Sequence, residues 1–334
     1  MMLLEIIWTV FSIGISFCAG IWLMSKGADW VTDSVVPMAR RLGTSNLAIG
    51  LVMVSIFLSL PEIIVAVLLV FAGHTSVALG VTLGSVIVNI GLIVGLSAML
   101  KPLRVSRIML LRDGIFMLTI SLITVLLAAD LTITKMEGVV FLLMFIPYII
   151  NVIEDEKLVP SSERKAAETH LLLSLKFAGR TTFNEFRLHT GPLAFSLGGC
   201  MLLLGSKLFS DSLVGIVSTV SVPEILIGLT LGAIGPSIPN IAAGLQATKH
   251  GFEDLAVSET IGSNIFTLLV TLGFLSLVTT LVLDPVEFLL TAAAMIFMSF
   301  LLVFFMHKGH ISRRDGAVLV ATYVAYMLLQ GLSI

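Results

Sequence analysis

The sequence predicts an all-α polytopic membrane protein: ten transmembrane helices arranged as two inverted five-helix repeats. Composition is the first reason. Of 334 residues, 57% are hydrophobic and only 12% charged, with a mean hydropathy of +1.09, values that exclude a water-soluble domain. The second is that ten apolar segments are long enough to cross a bilayer as helices. The third is a repeat: polar residues of the first half return in the second at a constant offset of 178 residues, as in Asp33 with Asp211 and Pro61 with Pro239.

The segments lie at 4–26, 47–72, 76–100, 112–129 and 137–153, then at 191–217, 223–247, 253–281, 285–306 and 314–332. The first lacks the basic leader of a signal peptide and stays apolar to Met24, so it is a span. The chain therefore divides into a first repeat over 1–153, a cytoplasmic linker over 154–190 and a second repeat over 191–334. Within the linker, Leu171 to Phe177 suits an amphipathic piece on the membrane surface and a solvated connection equally.

Basic residues follow the first span (Lys26, Arg40, Arg41), the third (Lys101, Arg104, Arg107, Arg112), the seventh (Lys249) and the ninth (Lys308, Arg313, Arg314), and fill the linker. The alternate connections carry almost none, so the odd-to-even connections are expected in the cytoplasm and both termini outside. Because five is odd, the second group enters from the opposite side. Confinement of the 19 Lys and Arg to short connections also leaves no basic face for nucleic acid. No feature of the sequence sets an oligomeric state.

The repeat continues through Ile49-Gly50-Leu51 with Ile227-Gly228-Leu229, Ser59 with Ser237, Gly73 with Gly251, Gly84-Ser85 with Gly262-Ser263 and Gly95 with Gly273. Two Leu-rich helices alike by chance would match aliphatic residues, not Ser, Pro, Gly and Asp in register. The last helix of each half follows a similar lead, Ile133-Thr134-Lys135-Met136-Glu137-Gly138 and Ile311-Ser312-Arg313-Arg314-Asp315-Gly316. Cys18 and Cys200 are read as buried thiols, and His74, His250, His307 and His310 as solvated. Gly80, Gly84 and Gly262 are expected where helices approach closely.

The chemistry gathers at Ser59-Leu60-Pro61-Glu62 and Ser237-Ile238-Pro239-Asn240. Each proline lacks the N–H that would bond the carbonyl four residues back, at Phe57 and Gly235, and frees that oxygen to face an ion. The second and seventh spans can each be described as two half-helices broken there. Side-chain oxygens come from Ser59, Glu62, Ser237 and Asn240. The third span adds the stripe Thr82, Ser85 and Asn89, and the eighth adds Glu259, Ser263 and Thr267. Broken helices in inverted repeats are a recurrent plan of secondary transporters with midplane sites. The cage offers hard oxygens and one carboxylate, which suits Na⁺ or Ca²⁺. The bland readings are a structural carboxylate at Glu62, interhelical hydrogen bonds for the amides and hydroxyls bonded to their own helix. Glu259, about 6 Å along the axis from Ser263, is open between the cage and an entry path. No nucleophile–base pair or phosphate-cradling loop marks an enzyme.

Over nearly its whole length the chain resembles the cation/Ca²⁺ exchangers, specifically the compact prokaryotic sodium/calcium exchanger-like proteins. The resemblance rests on Gly27-Ala28-Asp29-Trp30, Arg40-Arg41-Leu42-Gly43, Ser59 to Glu62 with Gly84-Ser85 and Asn89, and Gly235 to Asn240 with Gly262-Ser263-Asn264-Ile265-Phe266. It implies Ca²⁺ export driven by Na⁺ or H⁺ entry across a prokaryotic plasma membrane, with no cofactor and with lipid and small cations as partners. The implied cation ligands are Glu62, Asn89, Asn240, Ser59, Ser85, Ser237, Ser263 and Thr267. The sequence departs from the family at Asn240, where a second glutamate is usual, and at Leu58, Pro236, Val86 and Thr267. Three functions stay open: a Ca²⁺ exporter, an exchanger of monovalent or altered selectivity, and a transport-dead ion sensor.

Overall fold

The computed structural model describes residues 2–41, 56–158, 191–220 and 222–332. Leu42 and Gly43, the Ile49 to Leu51 element of the repeat and the linker from 159 to 190, with Leu171 to Phe177, lie outside them. Among the described residues nine helices are long and apolar enough to cross a membrane. They are α1 (Met2–Arg41), α3 (Thr75–Leu100), α4 (Met109–Asp130), α5 (Lys135–Leu158), α6 (Pro192–Thr219), α7 (Glu224–Lys249), α8 (253–278), α9 (Pro285–Met306) and α10 (Arg313–Leu332). The shorter α2 (Leu60–Phe71) is the second half of the predicted span 47–72.

α1 runs well past the expected end at 26. Charged residues at Lys26, Asp29 and Asp33 end a hydropathy window, but they do not end a helix that has a neighbour to pack on. Lys26, Ala28, Val31 and Ser34 are all buried. The neighbour is α6, antiparallel to α1, and glycine sets their separation. A Cβ on Gly27 would stand 2.6 Å from the Gly198 carbonyl, and one on Gly20 would stand 2.9 Å from the Gly205 carbonyl. At the other end of the first half, α5 stays helical to Leu158, past the expected boundary at 153.

α3 occupies the middle of the molecule: 94% of its apolar window is buried, against 11% for α1. It lies beside α7, where Gly80 admits the backbone of Ile225 and Gly228 and Gly84 admits Leu229 and Ala233. The expected close approach at Gly80 and Gly84 is therefore present. Four helices loosen to π geometry for one turn, at Asn89–Val94, Met109–Gly114, Gly228–Gly232 and Thr267–Thr271. Asn89 and Thr267, which open two of them, are 178 residues apart.

Contacts across the fold obey the same offset. β1 (Leu103–Arg104) pairs antiparallel with β4 (His310–Ile311), and β2 (Thr132–Ile133) pairs antiparallel with β3 (Leu281–Val282). Moving each residue by 178 turns the pair Leu103 with Ile311 into Leu281 with Ile133. The Gly27–Gly198 contact becomes Gly205–Gly20 in the same way, and Gly95–Gly316 becomes Gly273–Gly138. Backbone detail follows: Gly73 and Gly251 have φ of 87° and 90°, and Leu131 and Gly309 have 64° and 76°. The leads into α5 and α10 are matching caps. Thr134 N–H donates to Glu137 at 2.6 Å and Ser312 N–H donates to Asp315 at 2.9 Å, which satisfies donors that a helix start leaves over.

Two expectations fail. Cys18 and Cys200 are exposed, because in a lipid-facing helix an apolar residue has no preference for the interior and only the packed face is buried. His74 is half-buried and its Nδ1 lies 3.2 Å from Glu224 Oε1, joining the α2–α3 connection to the start of α7.

Candidate functional site

The chain forms a helical turn at residues 56–58, bends at Ser59 and restarts as α2 at Leu60. Pro61 fits the first turn of α2, where its missing N–H costs that helix nothing. Upstream it removes the donor for the Phe57 carbonyl. Glu62 follows in the same turn, where the helix dipole favours a negative charge. The second half differs from the expected pair of half-helices. α7 continues through Pro236 and Pro239, and the π turn at Gly228–Gly232 just upstream takes up the distortion. The carbonyls of Gly232 and Gly235 still lose their helical donors to the two prolines. Gly235 is also where Phe209 of α6 presses its ring on α7.

Six of the expected site residues make cross-helix contacts, in three separate places, while Ser85 bonds its own helix and Thr267 Oγ1 has no partner among the described residues. Glu62 Oε1 accepts from Asn240 Nδ2 at 3.1 Å and from the Ser237 hydroxyl at 3.3 Å, so α2 and α7 meet through side chains of the two motifs. Ser59 Oγ and Ser263 Oγ are 2.8 Å apart and join α8 to the bend before α2. Asn89 Nδ2 donates to Asn264 Oδ1 at 3.0 Å, and Asn264 Nδ2 donates to the Val86 carbonyl at 3.2 Å, so α3 and α8 are tied as well. All of these side chains are buried, with exposures of 1% or less.

Ser85 Oγ donates to the Thr82 carbonyl and Thr82 Oγ1 to the Ala78 carbonyl. Their hydrogens are thus held by their own helix, as the bland reading has it, while the oxygens keep lone pairs. The more telling atoms have no hydrogen-bond partner among the described residues: Glu62 Oε2, Asn89 Oδ1, Asn240 Oδ1, Glu259 Oε1 and Thr267 Oγ1. Each is a buried oxygen on α2, α3, α7 or α8. Buried oxygens without donors cost stability, a cost that an ordered water or a cation offsets. The donor set is hard and rests on amides and hydroxyls beside the acids: among the described residues no group of three or more His, Cys, Asp and Glu is arranged to hold a metal ion.

Sequence reasoning missed one organising residue. Asn264 spends its donor on Val86 and its acceptor on Asn89, and so fixes which way the Asn89 oxygen points. The signal was present in Gly262-Ser263-Asn264, but Asn264 is absent from the expected ligand set.

The sequence profile described as sodium/calcium exchanger protein matches residues 12–153 and 190–332. The chain belongs to this family. The exchanger is 28% identical to the sodium/calcium exchanger MaX1 of Methanosarcina acetivorans, over 93% of this chain and 96% of that protein. It is 27% identical to the inner membrane protein YrbG of Escherichia coli, over 93% and 94%. Its fold matches the sodium-calcium exchanger NCX_Mj soaked with 10 mM Na⁺ and zero Ca²⁺, with a TM-score of 0.66 and 26% identity, covering 96% of this chain and 99% of that one. It is thus a multi-pass membrane cation antiporter, of a transporter family rather than a catalytic one.

Proposed function

We propose that the exchanger exports Ca²⁺ in return for Na⁺ or H⁺, by alternating access at one site between α2, α3, α7 and α8. The observation that carries this is the buried meeting of Glu62 with Asn240 and Ser237, where Glu62 Oε2 and Asn240 Oδ1 have no partner among the described residues, beside the Ser59–Ser263 and Asn89–Asn264 contacts that join the same helices. Ser85 of α3 and Thr267 of α8 complete the proposed ligand set. Carboxylate, amide, hydroxyl and freed carbonyl oxygens are the ligands Ca²⁺ takes, six to eight at a time. The architecture is ten transmembrane helices in two inverted repeats, 1–153 and 191–334, joined by a cytoplasmic linker over 154–190. Support comes from the reciprocal strand pairs and glycine contacts. The charge of the connections orients both termini outward, in a prokaryotic plasma membrane.

Transport needs the site to open to one side at a time. α1 and α6 pack on each other along their length and touch the site where Phe209 meets Gly235. Movement of that pair against α2, α3, α7 and α8 would shift solvent access from one face to the other. Asn240, standing opposite Glu62 where an acid is usual, favours a second reading: an exchanger for a monovalent cation whose charge one carboxylate balances.

The test is Ca²⁺ uptake into proteoliposomes under an outward Na⁺ gradient and, separately, an outward H⁺ gradient. Uptake driven by either supports Ca²⁺ antiport and identifies the coupling ion. If neither drives Ca²⁺ while ²²Na⁺ still exchanges, the monovalent reading replaces it.

A further inference from the structure

The second carboxylate of the buried layer is not where the repeat would put it. Asn240 is the counterpart of Glu62, and it brings no charge. Glu259 sits instead on α8, and its own counterpart in the first half is Val81. An acid at Glu259 is therefore no inheritance of the repeat. It is 5% exposed, and its Oε1 is among the oxygens without a hydrogen-bond partner. Burial of an unpaired carboxylate costs several kcal/mol, and so demands a compensating partner.

Its placement points to the partner. Glu259, Ser263 and Thr267 recur at i, i+4 and i+8 on one face of α8. Ser263 on that face touches Ser59, which lies in the bend three residues before Glu62. Glu259 stands about 6 Å along α8 from Ser263 and Glu62 three residues from Ser59, so the two acids flank the same Ser59–Ser263 contact from α8 and α2. Of the buried acids, Asp113, Glu253 and Asp315 are ion-paired with Arg112, Lys101 and Lys308, whereas Glu62 of α2 and Glu259 of α8, one from each half, each keep an oxygen without a partner among the described residues.

We propose that Glu259 is the second acid of the transport site, replacing on α8 the charge that α7 lacks at Asn240, and that it makes the site select a divalent over a monovalent cation. This rests on the Ca²⁺ antiport reading. Two carboxylates balance the charge of one Ca²⁺, whereas Glu62 alone balances Na⁺. In a layer of low dielectric that difference decides selectivity.

The test is ⁴⁵Ca²⁺ and ²²Na⁺ binding to the purified full chain, for the native protein, Glu259→Gln, Asn240→Glu and the double variant, each checked for its melting temperature. Glu259→Gln is expected to weaken Ca²⁺ binding about tenfold or more and Na⁺ binding much less. Asn240→Glu on that background is expected to restore Ca²⁺ binding, because the charge count returns to two. Should Glu259→Gln alone not fold, the comparison is Asn240→Glu with and without Glu259→Gln, and the same loss is expected. Native Ca²⁺ binding that survives Glu259→Gln unchanged overturns this inference and leaves the exchanger reading standing. So does a loss that Asn240→Glu does not repair in a double variant with a native melting temperature. A native chain that binds no Ca²⁺ overturns the exchanger reading, and this inference with it.

Discussion

Replacing Asn264 with leucine tests whether the cation site depends on a residue whose own polar atoms are already in use. Leucine is close to asparagine in size, and it removes three hydrogen bonds: the 3.0 Å acceptance from Asn89 Nδ2, the 3.2 Å donation to the Val86 carbonyl and a weak 3.7 Å donation to Met117 Sδ. The carbonyl is covered, because the Asn89 N–H also bonds it. The loss therefore falls on the Asn89 amide, which is fully buried and left with an unpaired donor. An unsatisfied buried donor costs ~1–3 kcal/mol, while interhelical hydrogen bonds in membranes average ~0.6 kcal/mol because the freed group finds other partners. A cost of about 1–2 kcal/mol lies between these figures and corresponds to roughly tenfold in affinity if Asn89 turns its oxygen from the ion. The assay is ⁴⁵Ca²⁺ binding beside thermal unfolding in detergent. Asn264→Leu with native Ca²⁺ affinity and a native melting temperature would show that Asn89 needs no fixing, and would remove Asn89 from the ligand set.

Four further outcomes are expected. Gly80→Ala drives a methyl group into the Ile225 carbonyl and to 2.8 Å from the Gly228 Cα, so it should cost about 1–3 kcal/mol. Gly199→Ala, inside α6 and with a Cβ that meets nothing within 4 Å, should raise the melting temperature slightly, helix propensity adding about 0.5–1 kcal/mol of stability. Gly309→Ala likewise meets no atom, but φ is 76° there, so a loss of about 1 kcal/mol should appear from backbone strain alone. At the start of α8, burial raises the Glu253 carboxyl, but its hydrogen bond and ion pair with Lys101, aided by Arg104, carry it below the ordinary 4.5. A depressed acid stabilises the folded state above pH 4.5, and that contribution is lost as pH falls below 4.5 through the folded value. Lys101 is half exposed, so the pair contributes only about 0.5 kcal/mol. Melting curves of native and Lys101→Met protein should converge as pH falls from 7 toward 3, and a constant separation would count against the pair.

The repeat was legible because its matching residues are the ones lipid does not select: Ser59 and Ser237, Pro61 and Pro239, Gly84 and Gly262. Its spatial consequence was not. Strands of two residues carry no periodicity, so the reciprocal pairing of Leu103 with Ile311 and Ile133 with Leu281 appears only when the chain is folded. Hydropathy stopped the first helix at 26 because Lys26, Asp29 and Asp33 are charged, and the close fit of Gly20 and Gly27 on α6 carries it on to Arg41. The same limit explains Cys18 and Cys200, whose exposure depends on which face of α1 or α6 finds a protein neighbour. A proline in a motif suggested a broken α7, but a π turn upstream lets the helix continue. At the site, the polar residues could be named from sequence, yet their division of labour could not. Asn264 accepts from Asn89 Nδ2 and Asn89 Oδ1 is left without a partner among the described residues, although both are buried asparagines on membrane helices.

The proposed exchange requires a cation held among Glu62 of α2, Asn89 of α3 and Asn240 of α7. Anomalous scattering from crystals of the exchanger soaked in Ca²⁺ or Sr²⁺ tests it most directly. The expected result is a peak within about 2.3–2.6 Å of a Glu62 oxygen for Ca²⁺, with Asn89 Oδ1 or Asn240 Oδ1 also in its coordination shell, and no such peak in Glu62→Gln. A peak ligated by none of these three residues, or one that persists unchanged in Glu62→Gln, would contradict it.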